Sequence, residues 1–173
     1  MGITQGHGGF VQVSSEQGKG AAFSIHVPAD EGAAIPVFSP PPGPALEGQG
    51  ESVLFVDDEP GVRKVVARVL ERLNFNPMLA ASAADALRFV EAHRSELKVI
   101  ITDMNMPQMD GLAFVRAVRA LLPTTPVIVA SGHLEDRVAA ELRTHGVTRT
   151  LSKPFPPDVL AAALRAALAT QTE

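Results

Sequence analysis

The chain has 173 residues, of which 46% are hydrophobic and 20% are charged, and its formal net charge at pH 7 is −4. A chain of this length and composition can bury a full hydrophobic core, as globular proteins do. The absence of cysteine excludes disulfides, thiolate zinc sites and cysteine nucleophiles. The chain has no block of Lys or Arg, which argues against nucleic-acid or anionic-membrane binding. No apolar stretch approaches the ~18 residues that a membrane span needs.

The residue pattern divides the chain into three parts. Residues 1–28 are rich in glycine and contain two alternating segments, GGFVQVSS and AAFSIHVP, separated by the turn signal EQGKG, which predicts a β-hairpin. Residues 29–50 are rich in Pro and Gly, which predicts an extended linker without regular structure. Residues 51–173 repeat a strand–helix pattern five times, which predicts an α/β domain.

Within the third part, apolar residues recur with a helical period in five segments. The helices are expected to begin near Pro60, to cover about 82–94, 111–121 and 134–144, and to begin again near Pro157. Gly146 is expected to end the fourth helix. The strands VLFV, VIIT and VIVA are continuous apolar runs and should be central, whereas NPMLA and VTRTL are mixed and suit the edges. This selects the strand order 2-1-3-4-5 of a flavodoxin-like, doubly wound parallel sheet with helices on both faces.

Polar side chains follow four of these predicted strands. Asp57 and Asp58 follow the first, Asp103 the third, Ser131 the fourth and Lys153 the fifth. Because parallel strands place their carboxyl ends at one edge of the sheet, these side chains should lie close together. Three carboxylates, a hydroxyl and an ammonium at one point indicate a site for a divalent cation and a phosphoryl group.

The chemistry of such a site follows from its donors. Oxygen ligands favour Mg²⁺, or Mn²⁺ in its place, and the backbone carbonyl of Asn105 could add a ligand to those of Asp57, Asp58 and Asp103. Lys153 and Ser131 would contact phosphoryl oxygens, and Asp103 would attack phosphorus to form an acyl phosphate. The Lys153–Pro154 bond has a raised chance of being cis.

Each residue alone also has an ordinary interpretation, as a helix cap, a turn residue or a solvated side chain. The joint occurrence at the ends of adjacent strands is what favours a phosphoryl site.

The segments VLFVDDEP, ITDMNMPQMDG, VIVASGH and LSKPF closely resemble the receiver domain of two-component response regulators, over about residues 51–170. The resemblance implies a Mg²⁺-dependent domain of the bacterial cytoplasm that takes a phosphoryl group from a phosphohistidine. It implies Asp103 as the phosphoacceptor, Asp57 and Asp58 as the metal-binding acids, Ser131 as the switch hydroxyl and Lys153 as the phosphoryl-binding lysine. The implied partner is a histidine kinase or a histidine phosphotransfer protein.

One position departs from the pattern of that family. Its members usually carry Tyr or Phe three residues before the lysine, and this chain has Thr150 there and no tyrosine at all. The resemblance therefore implies intact phosphorylation, with a signal relay that is weaker or rearranged.

The N-terminal segment ITQGHGGFVQVSSEQGKGAAFSIHVP resembles the last strands of the ATP-binding domain of a sensor histidine kinase. The order of tail, Pro-rich linker and receiver resembles the C-terminal end of a hybrid histidine kinase. The glycine-rich nucleotide boxes and an acceptor histidine on a dimerisation helix are missing, so kinase activity of this chain itself is not expected. A receiver with an unrelated leading hairpin is the alternative.

Two functions therefore stay open for this chain. The first is a phosphorelay receiver without an attached DNA-binding output, and the second is a receiver-like docking module that is not phosphorylated. A phosphatase with an Asp-x-Asp nucleophile is disfavoured because residue 105 is Asn. Binding of nucleic acid or membrane is not expected, and a homodimer, to which the hairpin could contribute, stays open.

Overall fold

A computed structural model describes residue 4, residues 8–28 and residues 48–169 of the chain. The chain divides into two compact units, Met1–Ser39 and Pro40–Glu173, and each is described here by itself. Most of the predicted linker, residues 29–47, lies outside the described residues.

The N-terminal unit contains the predicted hairpin. Strands β1 (Phe10–Glu16) and β2 (Gly20–His26) pair antiparallel, with Phe10 opposite His26 at one end and Glu16 opposite Gly20 at the other. The turn uses Gly18 and Gly20 at φ values of 81° and 88°, a backbone region that suits glycine. Nearly every residue of the hairpin is exposed, including Phe23, whose exposed fraction is 70%.

The C-terminal unit alternates strands and helices. Its strands are β3 (Ser52–Val56), β4 (Asn76–Ala80), β5 (Leu97–Asp103), β6 (Val127–Ser131) and β7 (Arg149–Ser152). Its helices are α1 (Pro60–Arg72), α2 (Ala83–Ala92), α3 (Gly111–Leu121), α4 (Asp136–Thr144) and α5 (Pro157–Ala169).

The five strands form one parallel sheet in the order β4-β3-β5-β6-β7. Counted from β3, this is the order 2-1-3-4-5, so the predicted flavodoxin-like fold is confirmed. Every residue of β3 and β6 is buried, whereas the edge strands β4 and β7 are partly exposed. Continuous apolar runs therefore mark the covered strands, as they do in other sheets with helices on both faces.

The sheet separates two apolar layers because successive strand residues point to opposite faces. Leu54, Ile100 and Val129 face a layer completed by α2, α3 and α4. Phe55, Ile101 and Ile128 face a layer completed by α1 and α5. All of these side chains have an exposed fraction of 0%, so the sheet is held rigidly between its helices.

Local signals at the helix ends agree with the predicted elements. Helices α1 and α5 begin at Pro60 and Pro157, where a missing N–H costs little. Gly146 follows α4 with a φ of 72°. Helix α4 begins at Asp136, later than the predicted 134, and the Lys153–Pro154 bond is cis.

The last residues of the predicted linker pack onto the C-terminal unit. The N–H of Gly48 donates to the carbonyl of Leu73 at 2.7 Å, and Asn74 Nδ2 donates to the carbonyl of Gly48 at 2.6 Å. A Cβ at Gly48 would lie 2.7 Å from the ring of Phe75. Residues 48–50 therefore follow the surface of the domain instead of extending away from it.

No helix within the described ranges is long and apolar enough to cross a membrane.

Candidate functional site

The loop after β3 carries the first two acids. The Asp57 N–H donates to the Ala80 carbonyl at 3.2 Å, which continues the pairing with β4, and Asp57 Oδ1 accepts the Glu59 N–H at 2.9 Å. The Asp57 side chain is almost fully buried, whereas Asp58 is exposed. The acid pair thus presents one fixed carboxylate and one that reaches solvent.

The third acid, Asp103, ends strand β5 and is held from both sides of its loop. The Met104 N–H donates to the Ala130 carbonyl at 2.9 Å, and the Gly111 N–H donates to the Met104 carbonyl at 2.8 Å. A Cβ at residue 111 would lie only 2.7 Å from the Asp103 carbonyl oxygen, so glycine is needed for this close approach. Asp110 caps α3 by accepting the Ala113 N–H at 2.7 Å.

The three carboxylates converge as the sequence predicts. One oxygen from each of Asp57, Asp58 and Asp103 lies within 4.8 Å of the others. Mg²⁺ prefers oxygen ligands and uses one or two carboxylates together with carbonyls and waters. The donor set therefore fits Mg²⁺, because it consists of oxygens only and includes the exposed Asp58.

Lys153 joins this cluster from the end of β7. Its Nζ donates to Asp57 Oδ2 at 2.7 Å and lies 2.9 Å from Asp103 Oδ1. Burial alone would lower the pKa of Lys153, but the hydrogen bonds and charges of Asp57 and Asp103 outweigh burial and raise the pKa above its usual value. The ammonium therefore stays charged and offsets part of the repulsion between the two acids.

Ser131 ends β6 beside the cluster, and its hydroxyl is turned toward the following loop. Ser131 Oγ donates to the His133 carbonyl at 2.6 Å and accepts the His133 N–H at 3.2 Å. The backbone is tied to the site, since the Lys153 N–H donates to the Ser131 carbonyl at 2.8 Å. The hydroxyl must therefore leave His133 to contact a group bound at Asp103.

Two further predicted residues lie at the margins of this edge. Asn105 is exposed in the loop between β5 and α3. Thr150 is exposed on β7, where it pairs with Val129 of β6. Thr150 contributes no aromatic ring to the edge of the sheet.

The structure adds a residue that the sequence reasoning did not single out. Arg63, in the first turn of α1, donates from Nη1 to the backbone carbonyl of Asp57 at 2.6 Å. No carboxylate in the described ranges forms an ion pair with Arg63. In the sequence Arg63 is one of several basic residues along α1, and nothing in the helical period separates it from them. The only hint in the sequence is that Arg63 lies six residues after Asp57, so that its side chain can reach back to the loop that carries Asp57.

An apolar groove borders the acidic cluster. It has a volume of about 580 Å³ and lies between α1 and the loop after β7. Val62, Val65, Val66 and Phe155 supply its apolar lining, and Lys153 lies at its margin. Val65 is exposed over 62% of its surface, which is high for a large apolar residue on a packed helix.

Comparison with known proteins assigns the domain. The family model described as the response regulator receiver domain matches residues 53–165. The chemotaxis protein CheY1 of Helicobacter pylori is 35% identical over 124 residues, which cover 68% of this chain and 97% of CheY1. The sensor kinase CckA of Brucella abortus is 33% identical over an alignment 178 residues long, which covers 98% of this chain and 19% of the kinase. The chain thus spans about a fifth of the length of that kinase.

Solved structures agree with the sequence comparison. A receiver domain from Clostridium thermocellum matches with a TM-score of 0.67 at 27% identity, covering 69% of this chain and 95% of that one. The chemotaxis protein CheY4 of Vibrio cholerae matches with a TM-score of 0.63 at 33% identity, covering 68% of this chain and 98% of CheY4. By its family match and its fold, the chain belongs to the response regulator receiver domains of two-component signalling.

Proposed function

We propose that this chain is a phosphorelay receiver that accepts a phosphoryl group from a phosphohistidine onto Asp103. The observation that carries the proposal is the position of Lys153, whose ammonium contacts Asp57 at 2.7 Å and Asp103 at 2.9 Å. A cation in this place can stabilise charge on an oxygen of a group attached to Asp103. Its raised pKa keeps that charge in place at neutral pH.

The reaction needs one nucleophile and a set of groups that neutralise charge. An Asp103 carboxylate oxygen attacks phosphorus, and the O–P bond forms as the P–N bond to the donor histidine breaks and leaves its electron pair on nitrogen. The product is an acyl phosphate. Lys153 then holds one phosphoryl oxygen, and Ser131, once its hydroxyl leaves the His133 carbonyl, holds another. Most of the rate enhancement comes from positioning and charge neutralisation.

Asp57, Asp58 and Asp103 would hold Mg²⁺ together with the Asn105 carbonyl. When bound, the ion would neutralise negative charge on the phosphoryl oxygens. Mn²⁺, which also takes oxygen ligands, would substitute for Mg²⁺.

The apolar groove beside Lys153 supports a protein donor, a histidine kinase or a histidine phosphotransfer protein. A donor that approaches Asp103 past α1 and the loop after β7 would contact this groove, which Val62, Val65 and Phe155 line. The apolar face of an amphipathic helix that carries the phosphohistidine fits such a groove. Val65→Asp should therefore slow transfer from a protein donor, while transfer from a small donor should be unchanged.

Incubation with acetyl phosphate and Mg²⁺, followed by intact-mass measurement, tests the proposal. The wild type should gain one phosphoryl group (~80 Da) that requires Mg²⁺ and is lost on alkaline hydrolysis. The Asp103→Asn variant should gain none, while Asp110→Asn, in the same loop, should gain as much as the wild type. A folded wild type without any gain, beside an active control receiver, would overturn phosphorylation by small donors.

A receiver-like docking module that is never phosphorylated is the second candidate. The observation that favours it is Thr150, which replaces the usual aromatic residue and is exposed on β7. The cluster of three acids and a lysine argues for phosphorylation, because a docking module has no need to gather these charges. If the chain is a docking module that is never phosphorylated, its wild type and its Asp103→Asn variant will bind a partner with the same affinity under all conditions.

The three parts of the chain are proposed to have separate origins. Residues 1–28 would be the end of a kinase ATP-binding domain, residues 29–50 a linker and residues 51–173 the receiver. The alignment with the sensor kinase CckA supports this, because it includes 98% of this chain and therefore the hairpin. The parent would be a hybrid histidine kinase, and this chain would act in the bacterial cytoplasm. The chain itself would not bind ATP, because the glycine-rich nucleotide boxes are missing from its sequence.

The exposed apolar residues of the hairpin make this origin testable. A kinase ATP-binding domain truncated before its last two strands should bind the chain, and Phe23→Ser should weaken that binding because it removes a large exposed apolar side chain. Equal binding of wild type and Phe23→Ser, or none, would favour an unrelated hairpin.

A further inference from the structure

A second cavity, which is polar, lies at the edge of the sheet opposite the acidic cluster. Its volume is about 620 Å³, and it is bordered by the amino ends of β6 and β7, the carboxyl ends of α3 and α4, and Ala167 of α5. The charged or hydrogen-bonding side chains of the described residues that line it are Arg119, Arg149, Thr124, Thr144, Thr148 and His145. None of the lining residues in this described set is acidic.

Arg119 brings a half-buried positive charge to the cavity. Its Nε donates to the His145 carbonyl at 2.7 Å, and its Nη1 donates to the carbonyls of Leu122 and Thr125 at 3.3 Å and 2.6 Å. These contacts occupy Nε and Nη1, and within the described residues Nη2 forms no hydrogen bond. Burial lowers the pKa of Arg119, and no carboxylate in the described ranges pairs with it.

Arg149 brings a second guanidinium to the same cavity from the start of β7. Its Nη2 donates to the Ala166 carbonyl at 2.6 Å. Within the described part of the chain no acid forms an ion pair with it either. Two positive charges thus line one cavity in a protein whose formal net charge is −4.

Capping of helix ends explains only part of this arrangement. Three of the four carbonyls that accept from Arg119 and Arg149, those of His145, Leu122 and Ala166, lie in or just beyond the last turn of a helix, where cations are favourable. The fourth, that of Thr125, lies in the loop before β6. Among the described residues, these contacts leave Arg119 Nη2 and two nitrogens of Arg149 without such an acceptor. Thr124, Thr144, Thr148 and His145 line the same cavity. Two guanidiniums with donors to spare, in one cavity with threonines and without an acid among its described lining, match the chemistry of a phosphate group.

We propose that this cavity binds a small molecule that carries a phosphate group, at a site separate from Asp103. Its volume lies within the ~300–1,000 Å³ range of small-molecule sites, so a nucleotide or sugar phosphate fits. Pro123 and Pro126 add apolar lining for the rest of the ligand. The phosphate would bind to the free donors of Arg119 and Arg149.

Nuclear magnetic resonance titration of the full chain with AMP tests this site, with EDTA present and ionic strength held constant. AMP should cause saturable shifts at the amides of Gly146, Thr148 and Ala167. Adenosine, which lacks the phosphate, should cause none at the same concentrations. Saturable shifts of equal size with adenosine would overturn the proposal, and so would the absence of saturable shifts with AMP up to about 10 mM, where even weak single-phosphate sites are occupied.

Two variants with the same change in charge separate a built site from general attraction. Arg149→Gln should weaken AMP binding at least tenfold, because charge-assisted hydrogen bonds to phosphate are lost. Arg165→Gln, exposed on α5 and outside the cavity, should bind AMP as the wild type does. Equal weakening by both variants would show non-specific electrostatics and would overturn the site. The spectra of both variants report whether the fold is intact.

Discussion

The two edges of the sheet carry opposite charges. At the carboxyl edge, Asp57, Asp58 and Asp103 gather three carboxylates around one ammonium. At the amino edge, Arg119 and Arg149 line a cavity without an acid among its described residues. The central strands β3 and β6 are buried throughout, so one rigid frame separates two edges with opposite charge.

The two edges differ in the groups that stabilise their charged side chains. The acids at the carboxyl edge repel one another, and Lys153 offsets that repulsion only in part, which leaves the edge suited to a cation and a phosphoryl group. The arginines at the amino edge rest on backbone carbonyls, which solvate each charge without neutralising it. Changes at one edge should therefore leave the chemistry of the other unaffected.

The largest expected effect comes from Lys153→Met. Phosphoryl uptake from acetyl phosphate should fall about 100-fold, because a positioned charge that stabilises the transferring group is lost. The rate of mass gain measures it. Lys64→Met, which removes an exposed lysine of α1, should react at the wild-type rate. A Lys153→Met rate within threefold of the wild type would contradict the role of the lysine.

The ion pairs of Lys153 with Asp57 and Asp103 also make the stability of the protein depend on pH. The pKa of Lys153 is raised in the folded protein, so its stabilising effect is complete below the unfolded pKa of about 10.4 and is lost as pH rises through the folded pKa. Urea unfolding should show Lys153→Met less stable than the wild type at pH 7, by roughly 2 kcal/mol, since the exposed part of the lysine reduces the about 3–5 kcal/mol of a fully buried pair. The gap should narrow only at strongly alkaline pH. A gap that changes between pH 6 and 8 would indicate a different titrating group.

Asp58→Asn should weaken Mg²⁺ binding about tenfold, because one of three charged ligands becomes neutral. Asp58 is exposed, so the variant should fold normally. Calorimetric titration with Mg²⁺ measures the affinity, and Asp158→Asn, exposed in the first turn of α5, serves as the charge-matched control. Equal affinities in Asp58→Asn and wild type would remove Asp58 from the metal site.

A smaller effect is expected from Arg63→Met. Arg63 holds the Asp57 carbonyl at 2.6 Å, and its loss should loosen the acidic loop and slow phosphoryl uptake severalfold, with Mg²⁺ affinity falling in parallel. Arg68→Met, exposed on the same helix, should match the wild type in both measurements. Reduced stability with unchanged Mg²⁺ affinity and uptake would show that Arg63 is structural only.

The smallest effect should follow Thr150→Phe. Thr150 is exposed on β7, where it pairs with Val129 of β6, so phosphoryl uptake should be unchanged within twofold. The ring should instead alter the environment of β7 on phosphorylation, which amide shifts of β7 and α4 would report. A large loss of uptake would place residue 150 within the chemical site.

Much of the fold could be predicted from the sequence because apolar patterns and strand ends report on local structure. Continuous apolar runs identified β3, β5 and β6 as central, and the order of the sheet followed. The hairpin could be predicted from the sequence only in part. Its alternation predicted β1 and β2. Because a two-stranded ribbon has no core of its own, apolar residues such as Phe23 and Ile25 are expected to lack cover within the hairpin, and both are exposed. The alternation does not predict what would cover them.

The site could be predicted as a meeting of residues but not as a set of contacts. Strand ends brought Asp57, Asp103 and Lys153 together in the sequence argument, yet the bridging ammonium depends on side-chain reach across two strands. The turn of the Ser131 hydroxyl to His133, and the contact of Arg63 with a backbone carbonyl, depend on loop geometry that no periodicity encodes. The basic cavity brings together two loops, α3–β6 and α4–β7, and the end of α5, which come from separate parts of the sequence.

Phosphorylation of Asp103 can be tested by locating the phosphoryl group in the chain. After reaction with acetyl phosphate and Mg²⁺, borohydride reduction converts an aspartyl phosphate to homoserine, and peptide mass spectrometry identifies the position. Homoserine is expected at position 103 alone, in the wild type and not in a sample without Mg²⁺. Homoserine at position 57 or 58, or a mass gain without any reduced aspartate, would show that Asp103 is not the phosphoacceptor.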